Sequence, residues 1–433
     1  MLRTRNIVHA VFFITLLFSF PAAGAAFNWD AGGTFYNSTG LVSDEFSDDA
    51  ELEQLNVLTL RAEAFLRAET GTSVTLSAQG RYEYTNERAY LFDLDQLRIR
   101  GTFPELFGGN SVAEASAGRF FFSDPSGMIL SHTADGGAFR AIFPGVRILA
   151  AGGYTGLIIN PSSEIAMTNI DLTEKGLEIE DNFFGSKRAF FQANFMFPEF
   201  LWLDAFTFFT LFQFDMRDKS EGTVMNSQYA GFLSERSYGR NLYQDLFIIA
   251  QYAQYEELLD DYSSAGLLFG IRFRYLNEDL LGSRFMLRAL AAPPKFKLDD
   301  VIDVPFGSLG FVPMNQPSLG KAVSPQLAGL GMIEAGYSFR PFIKSGSEIA
   351  SRIQPSIGAR GYLRTFWDPV DWIGTDPDSD SLFLGTEVDA GLAWRILSDL
   401  GLDINGAYFI PGPAANPDME TVFAVRCNLS ISF

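Results

Sequence analysis

Apolar and polar side chains alternate with a period of two along most of this chain, the signature of strands that present one oily and one wet face. In residues 58–67, Leu58, Leu60, Ala62, Ala64 and Leu66 point one way, and Thr59, Arg61, Glu63, Phe65 and Arg67 the other. A turn at Glu69-Thr-Gly-Thr72 follows, and Val74, Leu76, Ala78, Gly80 and Tyr82 then oppose Thr75, Ser77, Gln79, Arg81 and Glu83. The same grammar returns at 96–103, 267–275, 333–340 and 384–395. It closes the chain in Val422-Phe-Ala-Val-Arg-Cys-Asn-Leu-Ser-Ile-Ser-Phe433, where Phe423, Val425, Cys427, Leu429, Ile431 and Phe433 share a face.

Many of these segments reach ten residues or more, enough to cross a bilayer at a tilt. Strands are expected to start near residues 27, 55, 73, 91, 112, 138, 146, 188, 200, 243, 265, 284, 328, 353, 383, 400 and 420. Parity tests this set, since each strand reverses direction and the long connections belong on one side. Counting inward from the two ends gives a mismatch of one strand around 217–242. One further strand near Thr223–Leu233 repairs it, giving an antiparallel transmembrane β-barrel of about 18 strands, with 16 as the alternative. The apolar run 195–214 is broken by Pro198 and Glu199 and reads as two strands, although Phe and Leu crowd both faces of the second. The longest connections, such as 157–187 and 293–327, fall on the side opposite the termini. The apolar-bearing connection 123–137 is a candidate for folding into the barrel as a constriction.

Tyr82, Tyr84, Tyr275, Tyr362, Trp367, Trp394 and Tyr408 stand near strand ends, as expected of aromatic belts at two membrane interfaces. A terminal strand ending on Phe433 resembles the sorting signal of bacterial outer-membrane β-barrel proteins, which implies recognition by the barrel-assembly machinery. Segment 384–394 (LGTEVDAGLAW), with 399–408 (DLGLDINGAY) and Pro411-Gly412, is similar to the C-terminal region of the alginate-export porin family. That resemblance implies an eighteen-stranded porin in the outer membrane of a diderm bacterium. Arg3 and Arg5, the apolar run 7–20 and the small residues 22–26 read as a signal peptide over residues 1–25, leaving 26–433 as the barrel. Cys427 is the single cysteine, so no internal disulfide framework is available.

Acidic residues outnumber basic ones 52 to 32, a formal charge of −20, which disfavours nucleic acid as a partner. The acids gather between strands, whereas the bases are mostly Arg and lie within them. Alternation turns Arg61, Arg67, Arg81, Arg98, Arg100, Arg147, Arg188, Arg272, Arg274, Arg284, Arg288, Arg340, Arg360, Arg364, Arg395 and Arg426 toward the lumen, since arginine facing mid-bilayer lipid costs about 2–4 kcal/mol. Arg98/Arg100, Arg272/Arg274, Arg284/Arg288 and Arg360/Arg364 are same-face pairs. Guanidinium forks bind carboxylates and phosphates and concentrate anions in a pore. Glu63, Glu83, Glu334, Glu387, Asp389 and Asp403 face the same way and offer the competing role of bracing the wall.

Other chemistry is sparse. Beyond the leader His132 is the one histidine; with Ser126, Ser131, Asp124 and Asp135 nearby it supplies the sole candidate for a hydrolase. Asp376-x-Asp378-x-Asp380 with Glu387 imitates calcium-loop spacing but lacks the glycine, and no cofactor motif is present. The sequence therefore reads as a monomeric, lipid-embedded channel for small or linear anionic solutes. A plugged, ligand-binding or structural barrel is the alternative and an outer-membrane hydrolase the second.

Overall fold

The computed structural model describes residues 26–43, 49–86, 88, 90–175, 182–257, 261–293, 296–297, 310–365, 376 and 378–433. The proposed leader and Trp367 lie outside them. The strands are β1 (Ala26–Ser43), β2 (Ala50–Arg67), β3 (Ser73–Thr85), β4 (Leu91–Pro104), β5 (Val112–Ser123), β6 (Ser131–Ile142), β7 (Arg147–Tyr154), β8 (Arg188–Pro198), β9 (Ala205–Asp215) and β10 (Val224–Tyr238). They continue as β11 (Leu242–Glu256), β12 (Asp261–Asn277), β13 (Ser283–Ala291), β14 (Phe296–Lys297), β15 (Leu330–Ser338), β16 (Ile353–Arg364), β17 (Phe383–Arg395), β18 (Leu400–Pro411) and β19 (Val422–Ser432). Two short helices, α1 (Asn169–Lys175) and α2 (Glu348–Ser351), lie in connections.

Successive strands pair antiparallel around the whole circuit, and β1 pairs with β19, so the sheet closes on itself. β13 pairs directly with β15, and the two-residue β14 adds only to the edge of β12, which leaves eighteen staves. The strand that parity demanded near Thr223 is β10. Closure matters because hydrocarbon offers backbone N–H and C=O groups no partner.

The register confirms the two faces. Ile333, Ile357, Val388, Ile410 and Val425 are exposed on the outer wall, while their chain neighbours Glu334, Glu387 and Asp389 are buried inside. Trp29, Tyr238 and Tyr275 are exposed on the rim that carries the termini; Tyr82, Tyr90 and Phe92 are exposed on the other, with Tyr82 stacked on Tyr90 at 5.7 Å. Tyr362 departs from the expected belt. It points inward and is fully buried, because residues 310–329 fill the space in front of it. The crowded second strand, β9, is explained in the same way: Phe208 and Phe214 face out, whereas Phe209 and Leu211 are fully buried in a core lying inside the barrel.

The seam rests on the last residue. Phe433 N donates to Gly33 O at 3.0 Å, and Gly33 N donates to Phe433 O at 2.8 Å. The Phe433 ring lies over Gly33, where a Cβ would come within 2.6 Å of it. Gly33→Leu is expected to push the ring off the seam and destabilise the barrel by about 1–3 kcal/mol, the usual cost of overpacking. Urea unfolding in detergent micelles, followed by heat-dependent electrophoretic mobility, measures this; an unchanged midpoint would remove Phe433 from the closure.

Candidate functional site: a constricted lumen

The pore is narrowed first by its own wall. β4–β5 pairing stops at Leu97↔Arg119 and β6–β7 pairing at Asp135↔Tyr154. Beyond those points β5 and β6 pair only with each other, from Phe120↔Ala134 to Ser123↔Ser131. The tip of this hairpin therefore leaves the wall. Gly118 makes the bend possible: its φ is +116°, and a Cβ there would sit 2.1 Å from Leu97 O. Phe120 and Phe122 stack at 4.2 Å, and Phe122 meets Phe190 of β8 edge-on at 5.1 Å. The Asp124 carboxylate accepts N–H bonds from Ser126, Gly127, Ile129 and Leu130, closing the turn and burying Ile129 and Leu130 completely. The constriction expected over 123–137 is thus present, but as a hairpin whose second strand begins at Ser131.

A second segment, residues 310–329, crosses the lumen. Val312 N donates to Gln251 Oε1 (2.8 Å) and Val312 O accepts from Tyr229 Oη (2.6 Å), fastening the segment to β10 and β11. Met314 N donates to Ile129 O (2.9 Å), joining it to the hairpin tip, and Asn315 Oδ1 accepts from Ser131 N (2.6 Å). On the far wall Tyr362 Oη donates to Leu319 O (3.3 Å), and the Glu387 carboxylate accepts from the backbone N–H groups of Lys321, Ala322 and Val323. Lys321 Nζ lies 2.5 Å from Asp389, and Arg426 donates to Lys321 O.

Two ionic clusters lie inside the barrel, one anchoring residues 321–323 to β17 and the other fastening α1 to β8 and β9. In one, Arg360 bonds Glu334, Glu387 and Asp389, each at 2.7 Å, and Arg288 shares Glu334 at 2.7 Å. In the other, Arg188 of β8 meets Asp171 of α1 at 2.6 Å and Asp215 of β9 at 3.1 Å; Arg217 meets the same two acids at 3.1 and 2.7 Å. Arg188, Asp171 and Asp215 side chains are fully enclosed. Burial pushes the nearby Glu174 carboxyl above its ordinary range, against the opposing pull of Arg217. Breaking one partner of such a buried pair costs about 3–5 kcal/mol because the other charge is stranded.

The inward arginines consequently divide into two kinds. Arg360 and Arg188 are bracing groups, and Arg364 is enclosed, donating to the carbonyls of Ser379 and Ser381. Glu387 and Asp389, expected in the lumen lining, are instead buried anchors of the crossing segment. Arg81 is held by Glu83, Asp93 and Asp95, and Arg426 reaches Glu53. Arg340 lies beyond the end of β15, in the turn packed on Gly282, so it is not a strand residue. Arg272 and Arg274 share Asp245 at 2.7 and 3.2 Å and stay half-exposed. Arg61, Arg67, Arg147, Arg284 and Arg395 are exposed toward the rim that carries the termini.

Arg98 and Arg100 differ from all of these. They line a lumen cavity of ≈ 320 Å³ under the hairpin, together with Glu114, Arg140, Ser116, Ser123 and Gln192. Arg140 lies 3.5 Å from Glu114, whereas among the described residues no carboxylate lies within ion-pair distance of Arg98 or Arg100, and the Arg98 guanidinium stands 5.5 Å from the centre of the Phe120 ring. β12 and β13, which carry Arg272, Arg274, Arg284 and Arg288, lie about half the circuit away. Sequence reasoning missed Arg140, although alternation with Phe139 and Ala141 marks it. It also missed Arg119, Arg217, Lys321 and Asp245, whose roles depend on long-range contacts.

His132 stands on the hairpin with 4% exposure, and the Ser126 hydroxyl bonds Asp124 rather than the imidazole. Among the described residues no group of three or more His, Cys, Asp or Glu side chains suits a metal ion.

No protein-family model matches the chain, and no curated protein does. Solved structures do. The Pseudomonas aeruginosa channel OccK2 (OpdF) in complex with glucuronate has a TM-score of 0.60 at 13% identity, covering 95% of this chain and 99% of its own. P. aeruginosa OccK8 (OprE) gives 0.59 at 11%, covering 94% and 98%, and OpdO gives 0.57 at 14%, covering 94% and 97%. The fold is therefore that of these eighteen-stranded outer-membrane porin barrels.

Glu387→Ala is expected to release residues 321–323, whose backbone N–H groups lose their acceptor, and to leave Arg360 with Glu334 and Asp389, at a local cost of about 1–3 kcal/mol. Single-channel recordings should then show a larger and noisier conductance step. An unchanged step would mean that the segment is held by its other contacts.

Proposed function

We propose that this protein is an outer-membrane channel of a diderm bacterium that passes small anionic solutes, with Arg98 and Arg100 as the principal anion-attracting groups. The observation that carries this reading is the cavity under the hairpin, where two guanidinium groups with no ion-pair partner among the described residues meet Arg140 and a single acid, Glu114. Arginine forks that are not already occupied by a carboxylate can accept one from a passing solute. The half-exposed Arg272 and Arg274, with Arg284 and the more enclosed Arg288, supply a positive wall across the pore. Arg272 and Arg274 share the single acid Asp245, which leaves one positive charge in excess between those two.

Support for carboxylates as the solute class comes from the likeness to a channel crystallised with glucuronate. Passage rather than catalysis suits a site with no partnered nucleophile and base. Lipid around the outer wall, delivery by the assembly machinery through the strand ending in Phe433, and a monomeric state belong to the same proposal.

Arg98→Ser/Arg100→Ser is expected to lower anion preference by a shift of reversal potential toward zero in asymmetric salt. It should also slow glucuronate entry in liposome swelling more than entry of a neutral sugar of the same size. Equal loss for both solutes would assign the two arginines to pore shape rather than selectivity.

A further inference from the structure

The inward hairpin leaves a break in the wall. Above Leu97 on β4 and Tyr154 on β7, the two staves between them are missing, a gap of about 10 Å at ordinary strand spacing. Arg81 of β3 spans it to Ser162, beyond β7, at 2.8 Å, and Arg119 spans it nearer the hairpin. Arg119 donates to Leu94 O of β4 at 3.3 Å and to Leu157 O, just past β7, at 2.9 Å. Asp135 on the hairpin orients that guanidinium at 3.0 and 2.7 Å.

Behind this clasp lies a cavity of ≈ 330 Å³ that adjoins the one holding Arg98 and Arg100, with Phe121 lining both. Its walls come from β3 and β4 (Gln79, Arg81, Asp93, Asp95, Gln96), from the back of the hairpin (Phe121, Ser131, His132, Thr133) and from the long connection after β7 (Ile158, Ser162, Glu164). Three carboxylates face one guanidinium there, and Arg81 is already committed to Asp93, Asp95 and the Ser162 hydroxyl. His132 lines the same cavity, 4% exposed, and its Nε2 is buried without a hydrogen-bond partner. The outer lips are apolar and open: Phe92, Leu97, Phe121 and Leu157 are 69, 49, 60 and 48% exposed.

We propose that the gap is a lateral portal through which a single-chain cationic amphiphile lodges its head in this cavity while its tail stays in the membrane. The net negative lining selects the head, and the apolar lips beside a membrane-facing break select the tail. Glu164 and Asp95 supply the carboxylates, and His132 Nε2 offers an unused acceptor or donor to a head bearing N–H or O–H groups. The cavity of Arg98 and Arg100 meets this one at Phe121, but none of the polar groups named for the head lines it, so different residues test the two readings.

The test uses the full-length protein in nanodiscs with Phe121→Trp as reporter, and the native protein in parallel for the background of its other tryptophans. The quencher is a twelve-carbon alkyl trimethylammonium with bromine at the chain carbon nearest the head. Saturable quenching is expected, weakened at least tenfold in affinity by Glu164→Gln/Asp95→Asn. The same chain with a sulfate head should quench only as a bulk-lipid solute. Linear, head-independent quenching would show simple partitioning and overturn the proposal. Equal saturation by bromoethyl trimethylammonium, which lacks the tail, would also overturn it, placing the entrance in the lumen. Should Phe121→Trp fail to give the heat-modifiable folded band, Thr133→Trp carries the reporter instead, and the same outcomes decide.

Discussion

Everything in this molecule follows from the rule that a backbone crossing hydrocarbon must satisfy its own hydrogen bonds. A closed antiparallel sheet does so, and the period of two then assigns each side chain to lipid or lumen. The closure at Phe433 and Gly33 is therefore as consequential as any side chain in the pore. An open seam would leave two full strand edges facing acyl chains.

An eighteen-stranded ring is wide enough to leave an aqueous channel, so its specificity has to be built by filling it. The filling here has an apolar core of its own, from Phe122 and Ile129 on the hairpin to Phe209, Tyr229, Met314 and Leu319. That core needs fixed positions, and dispersion contacts alone do not set them. The buried pairs around Arg188 and Arg360 help to do so, since each guanidinium reaches acids on two different elements. Bracing and attraction are thus not rival explanations of the inward arginines. Arg188 and Arg360 brace, whereas Arg98 and Arg100 stand outside any ion pair among the described residues.

The strands were legible because local alternation is imposed by lipid on one face and water or protein on the other. Even β10, whose pattern is weak, was recoverable from the requirement that direction reverse at every strand. The lumen was less legible. Alternation places Arg360 and Arg98 on the same kind of face, yet only the first has Glu334, Glu387 and Asp389 within reach. The difference depends on register between strands and on where 310–329 lies, and neither is written locally. Arg119 was invisible for a sharper reason. It sits one residue after the positive-φ Gly118, where the hairpin leaves the wall, so the alternation rule that placed the other arginines no longer applied to it.

Turning two staves inward also has a cost that the wall has to absorb. Above Leu97 the edge of β4 loses its neighbour, and unpaired backbone groups beside lipid are unfavourable by several kcal/mol each. A complete remedy would be another strand. The molecule instead uses a guanidinium, the one side chain with enough donors to serve Leu94 O and Leu157 O while Asp135 neutralises it. A side-chain clasp can open where a ladder of strand hydrogen bonds cannot, because three or four bonds break rather than a whole register. The same bend that creates the constriction in the pore therefore leaves this stretch of β4 held by a side chain, and the two features cannot be engineered apart while Gly118 keeps its conformation.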